Sequence, residues 1–176
     1  MVDTATILVG VSCHVNQTFV IVVTMPNERL SPQELRIWHA FKLMGEDVLS
    51  RVEHDLTEAT GLSGPEFGVL LRLAGLGKGE MRQQALAERL GWDKSRLSHQ
   101  LTRMQRRDLV TRHESGERSV LVLITKLGRR TLDAAMPVHA ASVRRHLLSR
   151  LTPEQIATIV RVSNILGDDE DMPAER

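Results

Sequence analysis

The chain has no tyrosine, three phenylalanines and two tryptophans among 176 residues. A core without aromatics must be filled by Leu, Val, Ile, Ala and Met. The single cysteine, Cys13, excludes an intrachain disulfide framework and a cysteine zinc site within one chain. That usage fits a reducing cytoplasm. No apolar run approaches the ~18 residues of a membrane span, so no membrane partner is expected. The N-terminus lacks the basic segment that opens a signal peptide. Catalytic signatures are missing as well: there is no nucleotide-binding loop, no G-x-S-x-G and no H-E-x-x-H. The histidines, at positions 14, 39, 54, 99, 113, 139 and 146, form no i, i+4 pair. The carboxylates are scattered, with no pair spaced for acid–base work. The chain therefore does not read as an enzyme, and no catalytic residue, metal or cofactor is expected.

What is present is a set of Leu-rich periodic segments in a chain of about one domain. The net charge of +1 hides an asymmetry. Between Arg82 and Arg130 there are twelve basic and five acidic residues, +7 for that stretch against −6 for the rest. Positive charge gathered into one part of a near-neutral chain is the electrostatic footprint of a nucleic-acid binder.

That basic stretch reads as helix, tight turn, helix and two-stranded hairpin. Gln83 to Leu90 carries Ala85, Leu86, Ala87 and Leu90 at helical spacing. Gly91 sits where a helix end wants positive φ, and Asp93 is placed to cap a second helix from Lys94. Leu97, Leu101 and Met104 make the apolar back of that helix. Ser95, His99, Thr102 and Arg106 lie opposite, at ~100° per residue, flanked by Arg96 and Arg103 on one edge and Ser98 on the other. A helix with such a front suits a DNA major groove, where Arg pairs with guanine and Ser or Thr with several base edges. The plainer alternative is a solvated amphipathic helix. Leu109 to His113 and Ser119 to Ile124 then read as strands around a turn at Glu114 to Glu117. Arg112 and Arg118 sit around the hairpin tip. A basic hairpin after a helix-turn-helix is a winged helix, whose wing can reach backbone or minor groove.

The wing reads Gly116, Arg118, Val122, Ile124, Thr125, Gly128, and resembles the signature D-x-R-x-x-x-V-x-L-T-x-x-G of the MarR family of bacterial transcription regulators. Gly116 stands where the family has Asp, which in the family helps hold the wing Arg. The segment LAERLGWDKSRLSHQLTRMQRRDLV looks like the family's recognition region, and the resemblance spans roughly Leu30 to Leu166. It implies a mainly α fold with a small β-hairpin wing, a winged helix-turn-helix with long dimerisation helices. It also implies a homodimeric regulator, a repressor by resemblance, on a pseudo-palindromic double-stranded DNA operator. The expected readers are Ser95, Arg96, Ser98, His99, Thr102 and Arg103. Lys94, Arg106, Arg107 and Arg112 are the expected phosphate anchors, and Arg118 the wing contact. In the family, small aromatic or phenolic effectors occupy a crevice beside the DNA-binding lobe. Trp38, His39, Phe41 and Phe67 are the candidate wall here, against the plain reading of core residues. Alternatives are a structural DNA-binding or interaction protein with no effector, or a redox- or metal-responsive regulator. For the last, Cys13 lies outside the helix that carries sensing cysteines in relatives, and His139 and His146 share a helix face.

The remaining chain follows the same scheme. Residues 1–24 hold two β-like runs, ILVGV and FVIVV, either an added strand pair or the product of an upstream start codon with Met25 the natural start. The sequence favours the second. A single domain is expected over 30–167. Its DNA-binding lobe is 63–124, and 30–62 plus 125–167 are dimerisation helices, which bury poorly alone. Ser31-Pro32-Gln33-Glu34 and Ser63-Gly64-Pro65-Glu66 are capping boxes opening helices to about Ala59 and Leu76. Gly75 to Gly79 reads as a loop, and Arg82 is a poor cap for the next helix. Thr125 caps a helix to about Leu148 that Pro137 should kink. Thr152 to Gln155 opens the last helix, ending near Gly167. Residues 168–176 form an acidic tail, expected to be disordered.

Overall fold

The computed structural model describes residues 5–11, 19–25, 29–114 and 119–167. The chain divides into two compact units, 1–46 and 47–176.

In the first unit, strands β1 (Ala5–Val11) and β2 (Phe19–Met25) pair antiparallel, with Ala5 opposite Met25 and Val11 opposite Phe19. Cys13 lies outside the described residues. Helix α1 (Pro32–Thr60) begins here and continues into the second unit. Its capping box forms as the sequence predicts: the Ser31 N–H donates to Glu34 Oε2 at 2.7 Å and Ser31 Oγ accepts from the Glu34 N–H at 3.3 Å. Those bonds use backbone donors that a helix start leaves without partners.

The second unit is a helix-turn-helix laid on a small sheet. Helix α2 (Gly64–Gly75) opens on the Ser63–Glu66 box. Strand β3 (Glu80–Arg82), helix α3 (Gln83–Leu90) and helix α4 (Lys94–Arg106) follow. The wing strands are β4 (Val110–Glu114) and β5 (Val120–Ile124). Helix α5 (Lys126–His146), a short 3-10 turn at Leu148–Arg150 and helix α6 (Pro153–Leu166) close the unit. Sheet order is β3-β5-β4, all antiparallel. The expected hairpin is therefore the larger part of a three-stranded sheet. Three residues are too few to show a period of two, so β3 has no sequence signal and owes its state to pairing with β5.

The core is aliphatic, as the composition requires. Leu62, Leu70, Leu73, Leu86, Leu97, Leu101, Met104 and Val122 are fully buried. Gly91 ends α3 at φ 61° and lets the chain turn into α4, a conformation that costs other residues ~1 kcal/mol or more. Pro137 falls inside α5 without ending it. The helix is also shorter than expected, stopping at His146 before the 3-10 turn.

Candidate nucleic-acid interface

Asp93 caps the start of α4. Its carboxylate accepts from the Arg96 N–H at 2.8 Å, and that bond holds its pKa below the usual carboxylate range. A capped first turn fixes the direction of every side chain that follows. Leu97, Leu101 and Met104 are buried to the last atom against the core, so the opposite face must point outward. Lys94, Ser95, Arg96, His99, Arg103 and Arg106 are exposed there, with Ser98 and Thr102 half-buried at the edge. The helical spacing of the sequence thus maps onto one outward surface.

Three of these side chains are already oriented. The Arg96 guanidinium lies over the Trp92 ring, 4.4 Å from its centroid. Arg103 donates to the side-chain oxygen of buried Gln100. Thr102 Oγ1 donates to the Ser98 carbonyl at 3.0 Å and accepts from Arg112 Nη2 at 3.1 Å, while Arg112 Nε donates to Gln105 Oε1 at 2.6 Å. Arg112 therefore staples strand β4 to helix α4, a link the sequence reading did not foresee.

Arg107, an expected phosphate anchor, is exposed and engaged in an ion pair. Its Nη1 donates to both oxygens of Glu66, at 2.8 and 2.7 Å, and its Nη2 donates to the Gly61 carbonyl at 3.0 Å. Glu66 is buried, so this guanidinium neutralises a charge inside the fold. Arg118 and Gly116 lie outside the described residues.

The sequence reading also passed over Arg82, Gln83 and Gln84. With Lys94, Ser119 and Val120 they line a cleft of about 300 Å³ beside the start of α4. Arg82 occupies the cap position of α3 with no side-chain bond to its backbone. The poor cap was the one available signal. Amide donors at a helix start with a neighbouring Arg and Lys suit a phosphate oxygen.

Of the candidate effector wall, Trp38, His39 and Phe41 are exposed on α1, with the Trp38 and Phe41 rings stacked at 6.4 Å. Phe67 is a core residue of α2 and stacks on His139 at 4.7 Å. Burial lowers the His139 pKa. His146 instead binds Asp55 through Nε2 at 2.9 Å. The two histidines that share a helix face thus do different work. Among the described residues no three His, Cys, Asp or Glu side chains converge on one point, and no helix is long and apolar enough to cross a membrane.

A family model described as MarR family matches residues 60–119, from the end of α1 to the start of β5. AbsC, a MarR family transcriptional regulator from Streptomyces coelicolor, is 31% identical, with 80% of this chain and 95% of that chain covered at a TM-score of 0.72. The chain belongs to the MarR family. It is accordingly a transcription regulator with a DNA-binding winged helix, and not an enzyme. A second MarR regulator of the same organism, Sco3205, solved in complex with DNA, is 24% identical over 85% of this chain and 94% of its own, at a TM-score of 0.74. The organohalide-sensing regulator RdhR-CbdbA1625 in its 2,4-dichlorophenol-bound form is 20% identical over 81% of this chain and 86% of its own, at a TM-score of 0.64. Comparison with curated proteins finds no match.

Proposed function

We propose that this MarR regulator is a homodimeric repressor that reads a pseudo-palindromic operator with α4 and is released by a small aromatic ligand. The observation that carries the DNA half is the outward polar face of α4, which presents Ser95, Arg96, His99 and Arg103 on a buried apolar back. The +7 charge of the surrounding stretch supports it, as does the DNA complex of the similar Sco3205. Lys94, Arg106 and the cleft at Arg82 are the phosphate anchors in this reading, and Arg118 the wing contact.

The dimer is supported by unpartnered apolar side chains. Ile37, Phe41 and Leu49 on α1 and Val162, Ile165 and Leu166 on α6 are all exposed. Covering each large aliphatic side chain is worth about 1.5–3 kcal/mol, which favours a second copy over water. An exposed Trp38–Phe41 stack supports an aromatic effector, and 2,4-dichlorophenol bound to a similar fold is in keeping with it.

The test joins sedimentation equilibrium to hydroxyl-radical footprinting on duplexes selected from a random library. A dimer protecting two half-sites about one helical turn apart is the expected result. A monomer, or uniform coating without inverted symmetry, would replace the repressor with a structural DNA-binding protein.

A further inference from the structure

Arg112 of strand β4 reaches across to helix α4. Its Nε donates to Gln105 Oε1 at 2.6 Å and its Nη2 donates to Thr102 Oγ1 at 3.1 Å. We propose that Arg112 is a positioning residue for DNA recognition: it sets the pitch of the wing against α4 and keeps Thr102 as its seat, out of base reading. This role rests on α4 being the DNA-reading helix and on the wing touching the same duplex.

The hydrogen-bond capacity of Thr102 is largely spent. A threonine hydroxyl has one hydrogen to donate and two lone pairs to accept with. The Thr102 hydrogen goes to the Ser98 carbonyl at 3.0 Å, and one lone pair takes the Arg112 N–H. A base that needs a donor would have to break the first bond, and one that needs an acceptor must share the crowded oxygen. Thr102, Gln105 and Arg112 are all half-buried, whereas Ser95, His99 and Arg103 are exposed. Base reading therefore falls to the exposed set, and the edge that carries Thr102 and Gln105 is left to hold the wing.

The shape of the contact suits alignment. Thr102 and Gln105 stand at i and i+3, so they are neighbours on one edge of the helix. A guanidinium offers its N–H groups in a rigid planar fork. Bonded to both neighbours at once, it fixes direction as well as distance. A lysine in the same place would make a point contact and leave rotation free.

The place of the contact suits it too. Arg112 lies opposite Val122 in the β4–β5 ladder, and cross-strand partners share one face of a sheet. Arg112 thus leaves the hairpin on the side where Val122 is buried. The root of β4 is already held by buried Val110. Arg112 is two residues further out, ~7 Å along a strand that rises ~3.4 Å per residue. A hairpin that tilts about its root swings most at its outer part, which is where the bonds to α4 are made. Among the described residues these two are the only hydrogen bonds that join the wing strands to α4. The gap between the helix in the major groove and the wing beside it is then set by one side chain.

The test uses the full chain and a duplex that the wild type selects from a random library. Arg112→Gln should weaken that duplex ~10-fold. Hydroxyl-radical protection under the wing should fade while protection of guanine N7 from methylation in the major groove persists, a split that general loss of structure would not produce. Arg112→Lys keeps the charge without the fork and should lose affinity and wing protection nearly as far. Thr102→Val should cost ~3-fold with an unchanged base preference, and the double variant Arg112→Gln/Thr102→Val should fall no further than Arg112→Gln alone, since both remove one contact. If Arg112→Gln fails to fold, Gln105→Leu joined to Thr102→Val removes the seat without touching the strand and should lose wing protection in the same way. Arg112→Lys within ~2-fold of the wild type would make Arg112 a plain cation and overturn the proposal. Additive losses in the double variant, an altered base preference in Thr102→Val, or wing and major-groove protection that fade together also overturn it. A wild type that selects no preferred duplex removes α4 as the reading helix and the proposal with it. A wild type that selects normally but shows no protection under the wing removes only the positioning role.

Discussion

Arg107 and Glu66 lie 41 positions apart and meet as an ion pair, with Nη1 of the arginine shared between the two carboxylate oxygens at 2.8 and 2.7 Å. Glu66 also accepts from the Ser63 N–H at 3.0 Å and closes the capping box of α2. Arg107 caps the far end of α4 and reaches the Gly61 carbonyl as well. One buried carboxylate thus starts the scaffold helix and ties down the end of the reading helix.

Arg107→Leu should therefore act on stability more than on DNA. It leaves Glu66 buried without its cation, at a cost of about 1–3 kcal/mol, to be read as a lower urea midpoint with unchanged slope. The salt dependence of duplex binding should stay as in the wild type. A stable variant whose log–log salt slope drops by ~0.9 would make Arg107 a phosphate anchor.

That pair also marks where sequence reading stops. Ser63-Gly64-Pro65-Glu66 announces a helix start by local spacing, and the start forms as read. The arginine that shares Glu66 comes from an element 41 residues on, and nothing in the order of residues points to it. The same contrast runs through the reading helix. Its apolar back and polar front are a matter of period, so Leu97, Leu101 and Met104 turn inward as expected. Arg112, in contrast, looks like a free cation at a hairpin and is in fact bonded to Thr102 and Gln105. Strand β3 had no legible pattern because its pairing partner, not its own residues, decides its state.

Arg96 should set base preference, and Trp92 should sharpen it. The ring beneath the guanidinium narrows the orientations from which Arg96 can approach a base edge, a cation–π contact worth about 0.5–1 kcal/mol when exposed. Arg96→Ala should reduce discrimination at one base pair by about 1–3 kcal/mol, measured by selection from a random duplex library. Trp92→Leu should blunt the same position by less, and Trp92→Phe should restore part of it. Uniform loss of affinity on all sequences in Arg96→Ala would place this residue on the backbone instead.

Acid should weaken the fold in two stages. Burial lowers the His139 pKa, so as pH falls the unfolded chain takes up that proton first, beginning near ~6.5. Stability is complete above that value and declines below it until the folded pKa is passed. Asp55 acts at lower pH. Ser142 Oγ donates to it at 2.7 Å and His146 Nε2 lies at 2.9 Å, and these bonds, the Ser142 one foremost, hold its pKa below the usual range. Its contribution is present above ~3.9 and is lost as pH falls through the lowered folded value. His139→Gln should flatten the upper stage and Ser142→Ala the lower one, with thermal midpoints measured from pH 8 to 3. A Ser142→Ala profile that parallels the wild type below pH 4 would show that Asp55 is not held by this bond.

The two tryptophans should report two separate events. Trp92 sits beneath Arg96 at the start of α4, while Trp38 is 52% exposed on α1 and stacked on Phe41. With no tyrosine in the chain, emission excited at 280 nm comes from these two rings alone. Duplex binding should change the Trp92 signal, because a base edge or phosphate drawn to the stacked Arg96 alters the surroundings of the ring beneath it. That change should vanish in Trp92→Phe. An aromatic effector at the α1 wall should quench Trp38, and the quench should survive in Trp92→Phe. For release of DNA the same ligand must bind the two states unequally. A coupling of about 1–3 kcal/mol corresponds to a 5- to 150-fold fall in operator affinity. Salicylate titrated into the Trp92→Phe chain, with and without a bound duplex, measures both halves. A quench with equal affinity in the two titrations would leave a real pocket and no switch. If salicylate instead perturbs Trp92 in Trp38→Phe and leaves Trp38 silent in Trp92→Phe, the effector wall lies on the DNA-binding lobe and not on α1.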